Sequence, residues 1–337
     1  KLNLSIGTVS RSLRDSPEIP PATRQRVQKL ASELNYRLPG FNKRPRSERA
    51  RSVGVLIQSD ADVSALPTTM AHYTLPAISN AVREFHATML VEYVCAQELD
   101  SFYQSGRKPP LLKQLERVAG LILLHHFPVE VVRWLSTRIT CVTLANHYSG
   151  LPVDCISGDD AQGVHAIVGH LHQLGHRRIG FVCKPDHVRF SWLQSRLFGY
   201  QQALREFGLP VEASWQINTT GQNLTDDQTF ERLIELTSQD VTAWICANDN
   251  LGYRVVGALR QAGLRVPEDV SVAGFDHMDV PVTQSPLTTV RSPFAQMGTA
   301  AVRRLMYRLK YPDELYARQL LESQLIVGAT TGPPVCH

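Results

Sequence analysis

The run HLHQLGH, residues 170–176, gathers three histidines, the residue type that most often ligates zinc. Their spacing works against it. Two residues apart on a helix is about 200° of rotation, and Gly175 ends the helix before His176 can join an i, i+4 pair. Cys246 lies in apolar sequence with no basic neighbour, and the adjacent Glu268 and Asp269 in VPEDV read as a polar turn before a strand. Neither a G-x-G-x-x-G nor a P-loop occurs, so the usual cofactor handles of α/β proteins are missing and no cofactor is expected. No set of residues asks to be a catalyst, and the chain is not expected to be an enzyme.

Charge is more informative. Residues 1–51 hold twelve Lys/Arg against four Asp/Glu, a net +8, while the rest holds 23 against 27, a net −4. A small basic head on a mildly acidic body implies that only the head meets a polyanion. The 337 residues suffice for about two globular domains plus an appendage. With 43% hydrophobic and 20% charged residues and no apolar run near the ~18 that a span needs, no membrane partner is expected. Six cysteines without a C-x-x-C pair, five in strand-like sequence, suggest buried reduced thiols and a cytoplasmic location. No secretion leader is visible, and the chain starts at Lys1.

The elements that must position such residues fall into two textures. Ser5 is suited to cap a short helix, IGTVSRSLR, with Ile6, Val9 and Leu13 along one side. DSPEIPP breaks it, and Pro21 fits the first turn of a second helix carrying the stripe Val27, Leu30, Ala31, Leu34. RLPGFNKRPRSERARS then reads as a basic linker. From Ser52 onward apolar runs (SVGVLIQ, ATMLVEYVC, GLILLHH, TCVTLA, RIGFVC, TAWICAND, DVSVAGFD) alternate with helical segments at 73–85, 161–174, 194–207, 250–262 and 294–309. That alternation predicts an α/β fold of parallel sheets covered on both faces, in two doubly wound lobes. Ligands of such lobes sit at the carboxyl ends of the strands.

The head LNLSIGTVSRSLRDSPEIPPATRQRVQKLASELNY resembles the helix-turn-helix of the LacI/GalR family of bacterial transcription regulators. The body is similar to the family's effector core at GDDAQGVHAIVGHLHQLGHRRIGFV, SRLFGYQQALREFGLP, TAWICANDNLG and the segment from GLRVPEDVSVAGFDHMDV to TAAVRRL. The resemblance implies a periplasmic-binding-protein-like pair of lobes behind an all-α head whose first helix is mostly missing. Expected boundaries are 1–37 for the head, 38–51 for the linker, 52–160 with 289–312 for one lobe, and 161–288 with 313–337 for the other. It also implies a homodimer, a pseudo-palindromic double-stranded DNA operator, and a small polar effector, a sugar before a purine. A sugar-sensing protein with the same core and no DNA role is the alternative.

By the same resemblance, Ser5, Thr8 and Ser10 are candidates for phosphate contacts, and Ile6, Gly7 and Arg11 for the base-reading face. Ile6 alone would more often be core, and Arg11 alone a solvated arginine. Pro45 stands where relatives wedge a leucine into the minor groove from a hinge helix, so a shortened hinge is expected. In the core, Arg196, Asn248 and Asp276 match the family's ligand-binding positions, although caps and turns at strand ends also favour Asn and Asp. Tyr73 is the candidate from the opposite lobe. The family's stacking ring has no counterpart in NTTGQNL, residues 218–224, leaving Trp192 or Trp215 to supply it.

Overall fold

A computed structural model describes residues 2, 4–13, 16, 18–33, 52–58, 70–95, 98–99, 110–219, 221–281 and 284–335. The linker, Pro45 and with them the expected shortened hinge lie outside the described residues. Among the described residues the head holds two helices, α1 (Ile6–Leu13) and α2 (Pro21–Glu33). Ser5 caps α1 by accepting the Thr8 N–H at 3.1 Å, and Pro21 opens α2, where its missing N–H costs nothing. Leu13, Ile19 and Val27 are the buried apolar side chains among the described residues of the head, and the Gln28 side chain ties α2 to the Ser12 carbonyl at 3.0 Å.

From Ser52 the chain alternates as expected between strands and helices; the central strands are buried, whereas the edge strands β2 (Thr88–Val94) and β11 (Arg318–Leu321) are largely exposed, against the expectation of cover on both faces. Strands β1 (Ser52–Gln58), β2 (Thr88–Val94), β3 (Gly120–Leu124), β4 (Cys141–Leu144), β5 (Asp154–Gly158) and β11 (Arg318–Leu321) make one sheet, ordered β11-β5-β4-β3-β1-β2. A second sheet, ordered β7-β6-β8-β9, holds β6 (Ile179–Val182), β7 (Gln216–Ile217), β8 (Ala243–Cys246) and β9 (Ser271–Ala273). A short antiparallel pair joins β10 (Thr289–Arg291) to β12 (Gln324–Ile326). The helices described over their full extent are α3 (Met70–Glu84), α4 (Pro110–Lys113), α5 (Val129–Ser136), α6 (Asp160–Gln173), α7 (Ser191–Glu206), α8 (Asp226–Gln239), α9 (Asp249–Gln261) and α10 (Phe294–Lys310).

The described chain divides into two compact units, Lys1–Ile156 with Phe294–Gln319, and Ser157–Pro293 with Leu320–His337. The changes of unit expected at 160, 288 and 312 thus fall at 156, 293 and 319. The first and last occur within the continuous strands β5 and β11, which hydrogen-bond to each other through Cys155 N–H to the Ala317 carbonyl and Asp159 N–H to Leu321. Unit 1 packs Leu56, Leu121, Leu123, Phe127, Val131 and Leu135 into one core. In unit 2 successive residues of each central strand go to opposite faces: Phe181 and Ile245 to one cluster, Val182 and Cys246 to the other. Both faces are therefore apolar, which is why the strands read as uninterrupted runs. No helix among the described residues is long and apolar enough to cross a membrane.

Candidate functional site

In the head, α1 turns an unusual face outward. Ile6 is 89% exposed and Gly7 and Arg11 are exposed beside it, so the expected stripe of Ile6, Val9 and Leu13 is broken at Ile6. The Arg11 guanidinium lies back along the helix: a Cβ on Gly7 would meet its Nη2 at 3.7 Å, and its Nη1 is 3.9 Å from Glu18. Ser5 and Thr8 share a hydroxyl–hydroxyl hydrogen bond of 2.9 Å at the helix start, and Ser10 is half-buried.

In unit 2, Arg196 on α7 is almost fully buried and held from three sides. Its Nε donates to Asp160 Oδ1 at 2.9 Å, Nη1 to the Ala247 carbonyl at 2.5 Å, and Nη2 to Asp276 Oδ1 at 2.8 Å. Gly199, one turn further along α7, makes this reach possible, because a Cβ there would come within 2.5 Å of the Ala161 carbonyl oxygen on α6. The guanidinium is sandwiched by aromatic rings, 3.7 Å from the Phe275 centroid and 4.6 Å from Trp192. Burial alone would weaken its charge, but Asp276 and Asp160 hold it protonated.

The partner side is strained and over-supplied with acid. Asp276 sits at φ 110° and His277 at φ 58°, a conformation that L residues adopt only when the surroundings force it. Asp276 also accepts from Ser292 Oγ at 3.3 Å, and its carboxyl is pushed up by burial against the pull of Arg196. Asp249, the first residue of α9, takes the Thr289 hydroxyl at 2.6 Å on Oδ1 and the Met278 N–H at 2.7 Å on Oδ2. Burial and the nearby Asp276 push it up to about 7. Asn248 caps α9 by accepting the Leu251 N–H at 2.9 Å, so one of its amide atoms has the structural role that its place after a strand suggests.

Trp192, Arg196, Asn248 and Asp276 are therefore brought to the carboxyl ends of β6, β8 and β9 in one unit. Positive φ recurs at strand ends: His125 after β3, Ala145 after β4, Asn218 after β7 and Asp276 shortly after β9. Tyr73 belongs to unit 1, on α3, with its ring stacked on Phe294 at 6.1 Å and edge-on to His72 at 5.1 Å. Trp215 packs into the cluster of Trp244 and Val255 on the other face of the unit 2 sheet, away from Arg196, so of the two candidate tryptophans only Trp192 joins the set.

Three participants escaped the sequence reading. Asp160 lies in the quoted block GDDAQG and Asp249 in CANDN, but nothing in either block shows an acid turning to meet Arg196 or Asp276. His187, in the 3₁₀ turn Pro185–Arg189 after β6, has its ring 5.2 Å from Trp192 and 5.6 Å from Phe190. The histidines of HLHQLGH are structural: His170 bonds Thr331 at 2.9 Å, and His176 bonds Thr242, Ser271 and the Gly332 carbonyl. No group of three or more potential metal ligands occurs among the described residues.

Comparison with known proteins agrees with this division of labour. A family model described as bacterial regulatory proteins, lacI family, matches residues 3–38, and one for a periplasmic binding protein-like domain matches residues 168–331. The HTH-type transcriptional repressor CytR of Escherichia coli strain K12 is 24% identical over 336 residues, covering 98% of this chain and 94% of that protein. HTH-type transcriptional regulator MalR of Streptomyces coelicolor is 28% identical, covering 98% and 94%. Among solved structures, a transcriptional regulator CelR–cellobiose complex has the same fold, with TM-score 0.72, 24% identity, and 98% and 97% of the two chains covered. In this order the chain carries a lacI-family helix-turn-helix head and a periplasmic-binding-protein-like core, and the relatives that it matches along its length are transcriptional regulators.

Proposed function

We propose that the protein is a dimeric, cytoplasmic transcriptional repressor that binds a pseudo-palindromic DNA operator and releases or grips it in response to a small polar effector, a sugar in preference to a purine. The observation that carries the DNA half is the exposed face of α1. An isoleucine 89% exposed, next to a glycine and an exposed arginine, in a segment of net charge +8 is poor design for a folded surface. It suits a helix in the major groove, with Ile6 against a thymine methyl, Arg11 on guanine O6/N7, and Ser5, Thr8 and Ser10 near phosphates.

Arg196, Asp276, Asn248 and Trp192 support the effector half. A guanidinium, a carboxylate and an amide beside an indole offer the donors, acceptors and flat apolar face that a hydroxylated ring requires. Tyr73, on α3 of unit 1, is proposed as an effector contact in its own unit. A CelR relative of the same fold carries cellobiose, which favours a sugar. Coupling of effector to operator in such switches is about 1–3 kcal/mol.

Selection of random-sequence duplexes by the protein tests the reading. An inverted repeat should emerge, Arg11→Ala should relax the base preference at one position per half-site, and affinity should fall steeply with salt. Recovery of no preferred sequence, or of affinity indifferent to salt, would remove the DNA half.

A further inference from the structure

We propose that His187 is a specificity-determining residue of the effector site: its imidazole hydrogen-bonds a ring hydroxyl of a sugar that stacks against Trp192. The inference rests on the effector reading above and adds a residue that neither the family match nor the sequence supplies. The sugar ring could come from a free saccharide or from the ribose of a nucleoside, and the shared chemistry is a hydroxylated ring with one apolar face.

Four observations carry it. The Nδ1 of His187 is buried and has no hydrogen-bond partner among the described residues, an arrangement that native proteins rarely leave standing without a use. The imidazole packs at 65° to the Trp192 ring, with centroids 5.2 Å apart, and at 33° to Phe190, while Phe190 and Trp192 are themselves 5.8 Å apart. Trp192 in turn lies 4.6 Å from the Arg196 guanidinium that holds Asp276, so the orphan nitrogen is one ring away from the polar centre of the site. The turn bearing His187 follows β6 directly, at the strand end where ligands of doubly wound sheets collect.

Electrostatics fixes the state of the ring. Burial lowers its basicity, Asp186 opposes that, and Lys184, Arg196 and Arg189 add to it, so the imidazole is neutral at pH 7. A neutral imidazole has one donor and one acceptor nitrogen, and a hydroxyl can satisfy either. A purely structural residue here would do better as phenylalanine, which completes the same aromatic cluster without burying an unpaired nitrogen.

The test compares wild type with His187→Phe in two measurements. Without ligand, the variant should melt at the wild-type temperature or higher, by up to about 4 °C. Against aldopentoses, aldohexoses, their disaccharides and ribonucleosides, whichever probe stabilises the wild type should bind His187→Phe at least about tenfold more weakly. Response to the free sugars assigns a saccharide, and response to ribonucleosides alone assigns a nucleoside ribose. Undiminished affinity in the variant, or a lower melting temperature without ligand, would overturn the role of His187. A wild type stabilised by none of the probes would overturn the sugar reading itself, and the inference with it.

Discussion

Each unit buries an arginine–carboxylate cluster, and the two are built in opposite proportions. In unit 1 one acid faces two bases: Asp154, fully buried on β5, accepts from Arg308 at 2.9 and 3.1 Å, from Arg304 at 2.7 Å and from the Ala317 N–H at 2.8 Å. Arg308 spends its remaining donors on the carbonyls of Pro312, Glu314 and Leu315. Arg308 is thereby used up on Asp154 and on the turn between α10 and β11, and among the described residues the buried donor of the cluster that no hydrogen bond takes is Arg304 Nε. In unit 2 one base faces several acids, Asp160, Asp276 and the nearby Asp249, with aromatic rings on both sides and positive φ at Asp276. The same ion-pair chemistry thus gives a staple in one place and a poised site in the other. What separates them is the sign of the excess: base held largely by backbone carbonyls in unit 1, acid gathered beside aromatic rings near the strand ends in unit 2.

The largest expected effect is on the staple. Arg308→Ala strands Asp154 as a buried, half-paired carboxylate and should cost about 3–5 kcal/mol, enough to lose the cooperative thermal transition or shift it by roughly 10 °C or more. A shift of only a few degrees would mean that the two clusters are not energetically different.

Their pH responses should have opposite signs. Burial pushes Asp154 up, but its bonds to Arg308, Arg304 and the Ala317 amide more than reverse this and hold it below the usual carboxylate range. The stability from its charge is therefore present above about pH 4 and lost as pH falls through the lowered folded value. Asp249, raised to about 7, binds its proton more tightly folded than unfolded, so the wild type should lose stability between about pH 4 and 7 as pH rises. Melting curves of Asp154→Asn and Asp249→Asn across that range check both. Relative to wild type, Asp249→Asn should gain by roughly 5 °C towards pH 7, whereas Asp154→Asn should be worst near neutrality and catch up in acid. Parallel pH profiles for the two variants would erase the distinction.

The smallest effect is expected in the head. Ile6→Ala should change stability by less than about 0.5 kcal/mol, since the side chain is exposed, while weakening discrimination among operator sequences. Loss of stability there would return Ile6 to the core.

Legibility in the sequence followed the same contrast. Strands buried on both faces, such as GLILLHH, were plain as apolar runs, whereas β5, DCISG, was obscured by Asp154, whose burial makes sense only beside Arg304 and Arg308 some 150 residues away. Helix α8 carries a T-x-x-Q capping box at Thr225 and Gln228, a readable start signal that the apolar pattern alone passes over. Arg196, Asn248 and Asp276 stood out through family blocks, yet their mutual geometry did not: Arg196 bonds Asp276 directly, and Asn248 contributes a helix cap. His187 was invisible, because an unpaired nitrogen becomes a signal only once packing has removed it from water.

The most direct test of the central claim, that the unit 2 cluster is an effector site and not a second staple, is ligand-induced thermal stabilisation of wild type and Asp276→Asn by the saccharide and ribonucleoside panel. The isosteric variant should remain folded, melting within about 5 °C of wild type, and should lose the shift that a bound probe gives the wild type. A probe that stabilises Asp276→Asn as much as the wild type would contradict the account and leave the Arg196 cluster as structure alone.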